Sequence, residues 1–331
     1  MATRKPNKRK SPPKTDQGAF AGSKGKTIQT KHSTRPERKK TGNTRKPQLK
    51  AVKGAVLNTA EHSRKWYERR LRLLIDVMDG RMKVFFAKKG ETLSVTDSDE
   101  YAKLRMKFLR LFDKESRPLA VEFFEKNVRY TRAAFRRAVE PILKAQTAKE
   151  KDRRRKRMER QQVVNLDAKN EIEVKDFLDG VTENVGLIKS IPDKYFRKIE
   201  KAVAKRASGK MTRADLAKRI EEIGGVTHKR AVLIADDQTA KAVNAMTVAR
   251  CQRAGIKRVM WVHTNLSKEP RTYHKTQWDG HTGKFNGKPN GLNGYIFDIN
   301  KPPVIDLKTG ERGFPAQLIN CKCRLAPVVE I

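Results

Sequence analysis

Apolar and polar positions follow two different periods along this chain. Over residues 66–88 Leu71, Leu74, Ile75, Met78, Met82 and Phe85 recur three and four apart, with Arg and Lys on the other face. That spacing predicts an amphipathic helix in a region that turns helical at about residue 56. A second helix is predicted over "YAKLRMKFLRLF" from Leu104, Phe108, Leu111 and Phe112. A third is predicted after Pro118, because proline suits the first turn of a helix. Together they predict a helical layer or bundle.

Helical spacing resumes beyond Asp167 in "EIEVKDFLDGVTENVGLIKSIPDKYFRKIEKAVAKRA" and in "TRADLAKRIEEIGG". Thr212 is placed to cap the second of these, and Gly224 and Gly225 are placed to close it. Another long helix then ends at Gly255. There the period drops to two: in "KRVMWVHT" Val259 and Trp261 alternate with Met260 and Val262, which predicts a strand. Further strand candidates are "GYIFDI" and "CRLAPVVEI", in a C-terminal stretch richer in Gly, Pro and Asn. The expected class is α+β: a helical N-terminal region, then a C-terminal domain with helices first and a small irregular β-sheet last. No internal repeat is visible.

Charge changes this picture at the N-terminus. The 331 residues hold 76 Lys+Arg against 37 Asp+Glu, a formal net charge of +39 that attracts polyanions, nucleic acid above all. The first fifty residues carry sixteen Lys or Arg against Asp16 and Glu37, with scarcely an apolar side chain. Such a segment buries too little surface to offset a backbone ordering cost of roughly 1–2 kcal/mol per residue. Residues 1–55 are therefore expected to be a disordered basic tail, read either as a solubilising tail or as an electrostatic arm for nucleic acid. Residues 56–160 form the helical region, and residues 161–331 the C-terminal domain. The basic run at 149–160 marks the boundary as a continuous charged helix or a linker, and either a solvated face or a phosphate-tracking surface. The candidate DNA-binding residues are Arg4, Lys5, Lys8, Arg9, Lys10, Arg38, Lys39, Lys40, Arg153, Arg154 and Arg155. With aromatics at 7% and none interleaved in the tail, binding is expected through phosphates and without sequence preference.

No apolar run is long enough to span a membrane, and the basic N-terminus leads into Pro, Thr, Asp and Gly instead of the apolar core of a signal peptide. The chain is expected to stay in the cytosol. Three cysteines fit a reducing compartment and no disulfide framework. Two of them, Cys321 and Cys323, stand two apart, which on an extended strand turns both sulfurs to one face. A zinc ion there would need further ligands, and His274 with either Asp279 or His281 are the candidate donors. The competing reading is packing, since two half-buried thiols need no metal. A catalytic reading of the same region makes His263, His274 or His281 a general base beside a divalent ion on Asp279, for phosphodiester cleavage, although few carboxylates surround them. No nucleophile elbow, phosphate-binding loop or dinucleotide fingerprint is present, and "GKFNGKPNGLNG" reads as loop. Asp236 and Asp237 are neighbours on a helix, about 100° apart, and so are not expected to face one ligand.

Four stretches, in order, resemble the phage Mu F-like head morphogenesis proteins: "ENVGLIKSIPDKYFRKIEKAV", "LIADDQTAKAVNAMTVARCQRAGIKRVMWV", "RTYHKTQWDGHTGKFN" and "INCKCRLAPVV". The resemblance covers roughly residues 165–331. It departs from the family at Asp236, where the family helix usually carries an arginine, and in a gap from His274 to Gly280 one residue longer than usual. It implies a minor head protein of the virion, held at the portal vertex inside the assembling head and made in the host cytoplasm. The implied partners are portal and head proteins, the implied role is head assembly or DNA packaging, and no catalysis is implied. The alternative from the residues is a metal-dependent DNA nuclease.

Overall fold

The computed structural model describes residues 50–89, 95–156, 174–267, 269–281 and 288–330. The fold is α+β, with four long helices, one short one and a four-stranded antiparallel sheet among these residues. The tail that carries Arg4, Lys5, Lys8, Arg9, Lys10, Arg38, Lys39 and Lys40 lies outside them.

Helix α1 (Glu61–Lys88) buries Tyr67, Leu71, Ile75, Met78, Met82 and Phe85, the stripe its spacing predicts extended by one turn. Helix α2 (Val95–Lys156) corrects the sequence reading, because the second and third predicted helices are one. Pro118 does not start a helix; it sits inside this one, as does Pro141. A proline there removes the bond to the carbonyl four residues back, on Lys114 and Arg137. Lys114, Pro118, Arg137 and Pro141 are all exposed, so water is available to those carbonyls. The buried stripe runs on past Pro118 through Leu119, Ala120, Phe123 and Phe124. Arg153, Arg154 and Arg155 fall in the last turn of α2, whose side chains lie outside the described set.

Helix α3 (Val174–Ala207) and helix α4 (Arg213–Arg253) follow. Thr212 caps α4 with a full capping box: its hydroxyl accepts from the Asp215 N–H, and the Asp215 carboxylate accepts from the Thr212 N–H. Gly224 and Gly225 do not end this helix, against expectation. Gly224 is present for close approach instead, since a Cβ on it would stand 2.6 Å from the carboxylate oxygens of Asp79 on α1. Asp79 is itself buried and accepts from the Tyr195 hydroxyl at 2.8 Å. The helix stops at Ala254, with Gly255 at φ +72° and the Ile256 N–H reaching back to the Cys251 carbonyl.

The sheet order is β1 (Ala51–Lys53), β4 (Arg324–Glu330), β2 (Arg258–Val262), β3 (Ile296–Asp298). Val259 and Trp261 point into the core, as their alternation predicts. Strand β4 is buried on both faces between its two neighbours. Strand β1 was assigned by sequence to the disordered tail, yet Ala51, Val52 and Lys53 pair with Glu330, Val329 and Val328. Three residues without an apolar run carry no strand signal of their own; the ladder to β4 supplies their order.

Residues Leu49–Ile331 make one compact unit with two neighbouring clusters of buried side chains. One lies among α1 to α4 and holds Tyr67, Phe108, Phe123, Tyr195 and Phe196. The other joins the later part of α2 and the end of α4 to the sheet, around Phe135, Ile142, Trp261 and Leu325. Both draw on α2 from before residue 160 and on α4 from after it.

Candidate metal centre

Three segments far apart in sequence meet beside the sheet. Strand β2 ends at Val262 and is followed by His263; a short helical turn, α5 (Thr272–Lys275), carries His274; and Cys321 and Cys323 lie just before β4. The β2–β4 register pairs Val262 with Arg324, so the next residues outward, His263 and Cys323, are brought side by side. The cysteine pair thus precedes the strand, and its sulfurs still converge.

Cys321, Cys323 and His274 are buried, and their ligand atoms lie within 4.8 Å of one another. Cys321 Sγ is 3.5 Å from His274 Nδ1, and Cys323 Sγ is 3.6 Å from His263 Nδ1. His274 Nε2 is 2.8 Å from the Ile305 carbonyl oxygen. A carbonyl only accepts, so Nε2 carries the proton and the Nδ1 lone pair faces the sulfurs. The edge of Trp261 packs on the His274 ring with centroids 5.0 Å apart, fixing its plane.

Other bonds hold the Cys-x-Cys segment from three sides. From α4, Asn244 Nδ2 donates to the Cys323 carbonyl, Asp237 accepts from the Asn320 N–H at 2.9 Å, and Asp236 pairs with Lys322. Asp236 also accepts from Arg64 of α1 at 2.9 Å. The two acids therefore serve different partners, as their separation on the helix predicts. Beyond β2, Thr264 donates to the Lys322 carbonyl at 2.7 Å, and Arg271, just before α5, donates to the Ile319 carbonyl.

The two thiols act as one titrating unit. The Cys323 thiol and then His274 hold Cys321 well below the usual thiol range despite burial, while the Cys321 thiolate and burial push Cys323 up. Burial lowers the affinity of His263 for a proton. It also lowers that of the Arg324 guanidinium, which lies near both sulfurs and donates to Thr59. The third cysteine, Cys251, is fully buried in α4, and burial pushes its thiol up.

Of the predicted donors the structure brings His274, Cys321 and Cys323 together and leaves the loop pair out. Asp279 accepts from the His281 N–H, His281 offers its carbonyl to Trp278 Nε1, and both are exposed. His263, beside Cys323, is the histidine that the structure adds to the cluster. Only strand register could have identified it, because 60 residues separate it from Cys323. It also lines a surface cavity of about 460 Å³ with Asn265, Lys275 and Asn293, so it is the member of the cluster that meets solvent.

A curated protein from Haemophilus influenzae (strain ATCC 51907 / DSM 11121 / KW20 / Rd), described as "Uncharacterized protein", is 32% identical over 147 residues. The match covers 44% of this chain and 28% of that protein, so the chain spans well under a third of the relative's length. No protein-family model matches the chain, and no solved structure does. Among the described residues no helix is long and apolar enough to cross a membrane.

Proposed function

We propose that this chain is a phage minor head protein acting at the portal vertex in head assembly and DNA packaging. Its basic segments hold DNA through phosphates, without reading sequence. One observation carries the proposal. The four stretches that resemble the Mu F-like proteins fall on α3, on α4 with β2, on α5 and on β4. Those elements touch each other: α3 packs on α4, β2 pairs with β4, and His274 of α5 meets Cys321. Segments that resemble one family in order and also share one packed assembly support a common origin for the whole. The net charge of +39 suits a protein facing packaged DNA.

The nuclease reading draws no support from this geometry. Both ring nitrogens of His274 are engaged inside the protein, and His281 is exposed on a loop.

Capture of a phage portal protein, by the full chain and by a chain lacking residues 1–48, tests the proposal. The cut precedes β1 and leaves the sheet whole. Both forms are expected to capture the portal, and the full chain is expected to bind DNA more tightly. Binding through about 6–10 phosphates should weaken by about 10³–10⁵ between about 50 and 200 mM salt. Portal capture that disappears with the tail would reduce docking to charge attraction, and a flat salt response would remove the electrostatic arm.

A further inference from the structure

We propose that Cys321, Cys323, His274 and His263 bind one zinc ion in a closed tetrahedral site that staples the loops of the sheet end to β2 and β4. This inference does not depend on the head-protein reading.

The donor chemistry comes first. Two sulfurs and two imidazole nitrogens are the soft and borderline ligands that zinc takes, in the number that closes a structural site. Next comes spacing. Zinc lies about 2.3 Å from thiolate sulfur and about 2.0–2.1 Å from imidazole nitrogen, so a tetrahedral sulfur–nitrogen edge spans about 3.6 Å. The two sulfur–nitrogen contacts here are 3.5 and 3.6 Å. One belongs to each cysteine with a different histidine; His274, Cys321 and Cys323 lie within 4.8 Å of one another, and His263 joins them through Cys323.

The tautomer of His274 agrees as well. Its Nε2 proton is committed to the Ile305 carbonyl, which leaves Nδ1 as a lone pair aimed at the sulfurs. Such an outer hydrogen bond from a ligating histidine to a carbonyl orients the ring and raises its basicity. Zinc takes cysteine as thiolate, so the bound site sets two negative charges against the two positive ones of the ion.

The location gives the ion a structural role. The segments it joins, the exit of β2, the α5 turn and the approach to β4, lie outside the strands and long helices, and Cys321 and Cys323 border the buried cluster of Trp261, Leu292, Ile305 and Leu325. A four-point cross-link adds fixed geometry to that packing. The cavity beside His263 brings solvent to the edge of the cluster.

Metal analysis by mass spectrometry of the full chain, purified without chelator, is the first test, and one zinc per chain is expected. Cobalt(II) loaded into the zinc-stripped protein is the second. It should give the visible bands of tetrahedral cobalt together with thiolate-to-cobalt charge transfer. His263→Ala removes the most exposed ligand and so keeps the fold, which circular dichroism checks. It is expected to weaken zinc binding, in competition with a chromogenic chelator, by more than the ~10–100-fold that losing an outer partner costs. A Cys321→Ser, Cys323→Ser double variant is expected to lose the ion. Four results overturn the proposal: a native chain without zinc that takes up no tetrahedral cobalt, a disulfide between Cys321 and Cys323 in the native protein, zinc content unchanged in the double cysteine variant, or zinc affinity unchanged in His263→Ala. If the double variant fails to fold, the cobalt spectrum and His263→Ala decide.

Discussion

Around Phe123 the interior of this protein is aromatic, with Tyr67 stacked on its ring at 4.3 Å and Phe124 edge-on at 5.5 Å. Around Cys323 it is made of thiols, imidazoles and backbone carbonyls held by directed bonds. The difference follows from the length of the elements. Helices of 28, 62, 34 and 41 residues each lay a long apolar stripe into a shared core. Burial at about 25 cal/mol per Å² holds them, with a few buried bonds such as Tyr195 to Asp79 added. Strands of 3, 5, 3 and 7 residues, joined by loops, offer far less such surface. Beside the apolar packing of Trp261, Phe297 and Leu325, their order draws on bonds with direction, made by particular side chains. A non-directional force tolerates exchange among similar residues, whereas a directional one does not.

Three substitutions and one control test that contrast, beginning with the largest effect. Phe123→Ala empties a fully buried position in the helical core and is expected to cost about 3–5 kcal/mol, seen as a lower urea midpoint with the sheet and helices lost together. A loss confined to the helices would split the two clusters into separate folding units. Gly224→Ala presses a methyl against Asp79, which Tyr195 and Lys83 hold in place. Overpacking of about 1–3 kcal/mol should exceed the helix-propensity gain of about 0.5–1 kcal/mol, so the thermal midpoint falls. Gly225→Ala meets nothing within 4 Å and is the control: it should raise the midpoint by an amount equivalent to about 0.4–1 kcal/mol. If both variants behave alike, the Asp79 contact does not limit α1–α4 packing. A local loss is expected from Thr264→Val, which deletes the bond to the Lys322 carbonyl at a cost of about 0.5–1.5 kcal/mol. Hydrogen exchange should speed up around residues 320–324 and stay unchanged in α1 to α4. A response spread over the helices would mean that the sheet end does not hold itself locally.

Much of the helical half was legible because its signals are local. Leu71, Ile75, Met78, Met82 and Phe85 declare a face through spacing alone, and Thr212 with Asp215 declares a helix start. Local signals misled where a breaker residue had another use. Pro118 is carried inside α2 where it and Lys114 are exposed, so that water can reach the freed carbonyl, and Gly224 is carried inside α4 because a carboxylate from another helix leaves no room for a side chain. At the sheet end Val259 and Trp261 announced β2, and the Cys-x-Cys pair with His274 announced a cluster. Strand β1 and the part played by His263 were hidden, since each depends on which strand lies beside which.

The sequence by itself determined the helical stripes, the cap at Thr212, the alternation of β2, the strong positive charge and the kinds of donor available for a metal. Periodicity, capping and charge act over a few neighbouring residues or over the whole field, so a one-dimensional pattern contains them. Tertiary structure decided that α2 and α4 run unbroken, that Ala51–Lys53 closes one edge of the sheet, and that His263 stands against Cys323. Those outcomes depend on close approach between residues up to hundreds of positions apart, and only the packed chain sets such distances.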